Sequence, residues 1–215
     1  MYNVFNSGQS LKAKMKQSFK RAEAIFLESN GILRTSQAKA LGIDPKTIAE
    51  MRKTGLVSKL SRGLYRLSEY PPLDYPDFVI VASRVPKAVI CLISALAFHN
   101  LTTQIPRQVY IALPQSVRRP KIKYPQLDVI WLSEGSYKSG NEKHLLNGIT
   151  VPIYSKAKTV TDCFKFRSKV GKDVAIVALK DYIQLPETDI EELLQYARIN
   201  RVEHVMRPYL EAVTS

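Results

Sequence analysis

Apolar residues recur near the start of the chain at Leu11, Met15, Phe19, Ala22 and Phe26, while Lys12, Lys16, Lys20 and Glu23 fall on another side. Steps of three and four are helical, and they predict one amphipathic helix ending near Asn30-Gly31. A short second helix is expected through Leu41, capped by Thr35 or Ser36, with Gly42 suited to the left-handed residue after its last turn. Asp44-Pro45 reads as an N-cap followed by proline at the first helical position, and predicts a third helix through Thr54 that Gly55 closes. The turn Gly42-Ile43-Asp44 is short enough to set helices two and three at a steep angle, the helix-turn-helix arrangement. Leu56 to Leu60 and Leu64 to Leu67 then alternate like half-buried strands around Ser61-Arg62-Gly63, which predicts a basic-tipped hairpin, a wing.

The pattern breaks at Glu69 to Pro76, where three prolines in eight residues forbid regular helix and favour an extended linker. The expected domains are therefore 1–70 and 71–215. In the second, Phe78 to Ala82 and Ala88 to His99 read as helices, and Val109 to Leu113, Leu127 to Leu132 and Ile149 to Tyr154 as strands. Helical patterns follow over Lys156 to Arg167, Asp173 to Gln184, Asp189 to Ile199 and Val202 to Val213. Trp131, on a strand, is expected in the core. The predicted fold class is α+β: an N-terminal winged helix-turn-helix, then a mixed α/β C-terminal domain with a small sheet and a helical tail.

Charge narrows the partner class. The 32 Lys and Arg against 19 Asp and Glu give a net +13, an excess that draws in a polyanion, and residues 1–70 hold +8 of it. Nucleic acid is the leading expectation. No run of about 18 apolar residues exists and the lysine-rich start lacks the apolar core of a signal peptide, so a cytoplasmic protein with no membrane partner is expected. Cys91 and Cys163 each lie in an apolar run and read as buried, reduced thiols. The three histidines are far apart and no Cys/His pair is close, so neither a metal site nor a cofactor is expected.

On the third helix Ile48, with Met51 or the stem of Arg52, should face inward, leaving Lys46, Thr47, Glu50 and Lys53 on the opposite face. Lys can reach guanine acceptors in a major groove and Glu a cytosine amino group; the plainer alternative is a solvated helix face. On the hairpin, Lys59, Arg62 and Arg66 can straddle phosphates, or Arg62 can enter a minor groove; the alternative is an ordinary surface turn. With Ser36 these residues form the candidate DNA-contacting set. Catalytic residues are not expected: Asp128, Glu134 and Lys138 have the wrong spacing for a nuclease core, and no phosphate-binding glycine loop or nucleophile motif is present. His99 reads as a packing or capping residue. Arg118 to Lys123 is a basic loop suited to phosphate, to an acidic partner or simply to solvent, and the polar residues of Ser155 to Asp162 fit capping.

Three segments together, Ser61-Arg62-Gly63-Leu64-Tyr65, Ser94 to Leu101 and Thr159 to Phe164, resemble the AbiEi family, antitoxins of AbiE-type abortive-infection (type IV toxin–antitoxin) systems described as transcriptional regulators of phage defence. The resemblance spans approximately residues 15 to 185, with Asn100 standing where the family pattern has glycine. It implies an N-terminal domain that represses its own operon's promoter and a C-terminal domain that counters a nucleotidyltransferase-like toxin; self-association on DNA is compatible with it. Two other readings compete: a winged-helix regulator whose C-terminal domain senses a small ligand, and a DNA-targeted nuclease or nucleotidyl-transfer accessory.

Overall fold

The computed structural model describes the backbone of residues 5–214 and the side chains of residues 15–213. The chain divides into two compact units, one of residues 1–76 with 146–149, the other of residues 77–145 with 150–215.

In the first unit α1 (Phe5–Glu28) is the expected amphipathic helix, although the side chains of Leu11 and Lys12 lie outside the described residues. Of the rest of its stripe, Ala22 and Phe26 are buried, Phe19 is half-buried and Met15 is exposed. The helix ends on two left-handed residues, Asn30 and Gly31, and the Gly31 N–H returns to the Phe26 carbonyl at 2.7 Å. Glycine is required there: a Cβ would lie 2.3 Å from the Tyr70 ring. A strand that sequence reading did not anticipate follows, β1 (Ile32–Arg34), before α2 (Thr35–Ala40) and α3 (Pro45–Lys53). Neither Thr35 nor Ser36 caps α2. Arg34 occupies the cap position, with its N–H donating to Gln37 Oε1 at 3.0 Å, and Thr35 lies inside the helix. Asp44 does cap α3, accepting from the Lys46 N–H at 2.8 Å. The hairpin β2 (Val57–Ser61) and β3 (Leu64–Leu67) adds β1 on the other side of β3, an antiparallel sheet in the order β1-β3-β2. Ile48 and Met51 of α3 join Phe26, Leu33, Ala38 and Val57 in its core.

The second unit is a five-stranded mixed sheet with helices packed against it, its strands in the order β6 (Leu127–Leu132), β5 (Val109–Pro114), β4 (Val89–Ile90), β8 (Ile149–Tyr154) and β7 (Asn141–Leu146). The unit opens with α4 (Pro76–Arg84). The apolar run from Ala88 is not one helix but a two-residue strand, β4 (Val89–Ile90), and a separate helix, α5 (Leu92–Phe98). A run apolar on every side carries no period to tell strand from helix, and the switch occurs at Leu92, whose φ is +47°. α5 closes with the Leu101 N–H on the Leu96 carbonyl, 2.8 Å, leaving Asn100 left-handed at φ +57°. Asparagine tolerates that conformation better than most residues, which accounts physically for its place at a glycine position. β4 pairs antiparallel with β5 (Val109–Pro114) and parallel with β8 (Ile149–Tyr154), and β5 pairs parallel with β6 (Leu127–Leu132). Between β6 and β8 lie two further unanticipated elements, α6 (Glu134–Lys138) and the edge strand β7 (Asn141–Leu146), whose polar sequence has no apolar face. The tail is α7 (Lys156–Lys165), α8 (Arg167–Val170), α9 (Lys172–Ile183), α10 (Ile190–Asn200) and α11 (Glu203–Thr214).

α7 lies at the centre of this tail, in contact with α5, α9, α10 and α11. Ser155 caps it, accepting from the Lys158 N–H at 3.3 Å, as expected of this polar start. The other polar residues of this segment do more than cap. Lys158 and Asp162, one turn apart, are both fully buried, and Lys158 Nζ donates to Asp162 Oδ1. Asn200 at the end of α10 donates to the same oxygen at 2.7 Å and to Thr161 Oγ1 at 3.1 Å, and its own Oδ1 accepts from Ser136 of α6 at 2.8 Å. One polar network thus joins three helices across a core that is otherwise apolar. Cys91 and Cys163 are buried and unpaired, and burial pushes both thiols above their ordinary pKa. Trp131 is not in the core: it is 39% exposed on β6, its indole N–H donating to the Val117 carbonyl at 2.8 Å.

Candidate nucleic-acid interface

Hydrogen bonds tie the hairpin to α2, and a short turn sets α3 directly after it. Thr35 donates through both its N–H (2.9 Å) and its hydroxyl (3.3 Å) to the carbonyl of Gly63, so the hairpin turn is tied to the first turn of α2. After α2 the Gly42 turn returns the Ile43 N–H to the Ala38 carbonyl at 2.8 Å, and Asp44 starts α3 three residues beyond Leu41.

On this frame the side chains of Lys46, Lys59 and Arg62 are exposed with no ion pair or hydrogen bond among the described residues, as is that of Ser36 in the first turn of α2. Thr47 is half-buried beside Lys46. Glu50 and Lys53 are not independent contacts: Lys53 Nζ donates to Glu50 Oε1 at 2.7 Å, so each offsets the other's charge. Arg66 is placed elsewhere. Half-buried on β3, it donates through Nη2 to the carbonyls of Tyr70 and, at 3.1 Å, Pro71, holding the start of the proline-rich segment. The structure therefore brings Lys46, Thr47, Glu50 and Lys53 together on α3 and Lys59 and Arg62 on the hairpin, and withdraws Arg66.

Arg21 was missed by sequence reading. It lines a cavity of about 380 Å³ with Gln17, Ser18, Gly42, Asp44 and Thr47, at the start of α3, and its Nη2 would lie 3.1 Å from a Cβ placed on Gly42. Arg21 stands four residues after Gln17 and three after Ser18, the helical spacing that brings it to one face of α1 with them. A guanidinium beside a helix N-terminus is a usual phosphate-contacting arrangement.

Asp128 and Glu134 of the second unit are engaged separately. Asp128 accepts from Gln108 Nε2 at 2.9 Å and pairs with Lys169 at 2.7 Å, while Glu134 pairs with Lys138 one turn along α6. His99 follows α5 as its C-cap, with Nε2 2.7 Å from the Tyr154 carbonyl, and burial lowers its pKa. Among the described residues no helix is long and apolar enough to cross a membrane.

The chain is similar over 91% of its length to the crystal structure of the RV2827C protein from Mycobacterium tuberculosis, covering 81% of that chain with a TM-score of 0.58 at 13% identity, a likeness of fold. No curated protein matches it. The profile of the family described as "Transcriptional regulator, AbiEi antitoxin" matches residues 20–68. That stretch runs from α1 to the end of the hairpin.

Proposed function

We propose that the first unit is a winged helix-turn-helix that binds duplex DNA, with α3 as recognition helix and β2–β3 as wing, and that the chain represses its own promoter as the antitoxin of an AbiE-like system. The carrying observation is the set Lys46, Lys59 and Arg62, exposed and unpartnered on one helix and its adjoining hairpin within the stretch that matches the AbiEi profile. Lys46 is suited to guanine edges, and Arg62 and Arg21 to phosphates. Residues 71–215 then counter a nucleotidyltransferase-like toxin, by analogy with the family.

Fluorescence anisotropy on the DNA upstream of its own gene tests this. Lys46→Ala should weaken specific binding by about ten-fold or more. Lys53→Ala should cost less, because Glu50 already offsets Lys53. Arg62→Ala should weaken all duplexes alike and reduce the salt slope by about one ion. Unchanged affinity in all three variants would refute the DNA reading. The toxin arm is tested by growth of cells in which the neighbouring reading frame is induced with and without this protein.

A further inference from the structure

The second unit has its own concentration of cations at the joint between α10 and α11. Arg198 lies in the last turn of α10, Arg201 links the helices, and His204 and Arg207 stand on the first turns of α11; with Glu203 they line one open cavity of about 470 Å³. Glu203 pairs with Arg207 at 2.9 Å, but Arg198 and Arg201 have no ion pair among the described residues. Arg201 is also left-handed, at φ +58°, with the Val202 N–H closing on the Ala197 carbonyl at 2.9 Å. Glycine is the residue that such a position tolerates best, so the arginine is held there against its backbone preference. Its field reaches inward: Lys165, whose Nζ is 3.5 Å from Asn200 Oδ1, has its pKa lowered first by burial and further by Lys158 and Arg201.

We propose that the cavity lined by Arg198, Arg201 and Arg207 binds a phosphate group, supplied as inorganic phosphate or as the terminal phosphate of a nucleotide. Guanidinium forks match phosphate oxygens two at a time, and α11 begins at the cavity, so its positive end adds to the attraction. The cations converge on one hollow instead of running as a stripe, which fits a single phosphate better than a polynucleotide backbone. Glu203 is the competing anion, and a bound phosphate would displace it from Arg207. The inference is independent of the DNA reading.

The test is calorimetric titration of the full chain, at low salt, with inorganic phosphate, a nucleoside monophosphate and triphosphate, and sulfate. Saturable binding is expected, weakened about ten-fold or more by Arg201→Gly, a change that suits the left-handed backbone and keeps the fold, and weakened also by Arg201→Lys, which keeps charge but loses the fork. A nucleotide that binds tighter than inorganic phosphate identifies the nucleotide as source; equal affinity identifies the free ion. No binding at millimolar ligand, binding equal to sulfate's, or binding unchanged in an Arg198→Ala/Arg201→Gly variant with a native unfolding midpoint would overturn the proposal. So would a variant that loses duplex affinity while no phosphate binds, since the arginines would then be backbone contacts.

Discussion

In the first unit Lys46, Lys59 and Arg62 stand in solvent without partners, whereas in the second Lys158 and Asp162 are sealed in the core and held by each other and by Asn200. The difference separates charge that the fold can do without from charge that the fold depends on. An exposed lysine contributes little to stability, so a cluster of them is free to serve a ligand. A buried pair gives up the hydration of two ions, and once it is built neither member can be removed alone. The net charge of +13 does not distinguish the two kinds; only placement does.

Breaking the buried pair should have the largest effect. Asp162→Ala leaves the Lys158 ammonium uncompensated in the core and should destabilise the second unit by about 3–5 kcal/mol. Denaturant unfolding followed by Trp131, the one tryptophan and a residue of this unit, reads it directly. Lys158→Met combined with Asp162→Leu should recover much of the loss; a double variant no better than the single would mean that the pair itself does not hold the core.

Next is Gly31→Ala in the first unit, which combines a left-handed φ of +73° with the Tyr70 ring in the space a methyl would need. A loss of about 2 kcal/mol is expected, seen as faster hydrogen exchange in β1 to β3, with the Trp131 transition unmoved. Movement of both would show that the units do not unfold separately.

A smaller, pH-linked effect belongs to His99. Burial holds its folded pKa below 6.5, so as pH falls through about 6.5 the unfolded chain takes up a proton that the folded chain refuses. Stability of the second unit should therefore decline from neutral toward pH 5, and His99→Gln should flatten that dependence. A slope unchanged by the substitution would place its origin elsewhere. The smallest effect expected is none: Lys46→Ala and Lys59→Ala should leave the unfolding midpoint where it was while DNA affinity drops, and a shifted midpoint would move these residues into the fold's own machinery.

The parts legible in the sequence were those with local signals. The Asp44-Pro45 start of α3, the glycine closures at Gly42 and Gly55, and the apolar stripes of α9, α10 and α11 are written in neighbouring residues. β1 and β4 were not, because three and two residues hold no period and become strands only through partners far along the chain. β7 hides behind a charged sequence suited to an edge. Trp131 was misjudged because exposure on a strand is decided by tertiary neighbours, and the hold of Arg66 on carbonyls four and five residues along the chain carries no sequence signal of its own. Lys158 and Asp162 show i,i+4 spacing, but nothing local marks that spacing as buried.

The grip of Arg66 on the carbonyls of Tyr70 and Pro71 bears on how the chain can be cut. A fragment ending at residue 70 would lose one of those two acceptors and place a free carboxylate beside the guanidinium, and the Tyr70 ring that covers Gly31 would become the frayed terminus. One ending at Pro76 keeps both acceptors inside the chain. The proline-rich stretch is thus, in its first residues, less a tether than the hem of the first unit, and the tidy place to trim is at its far side.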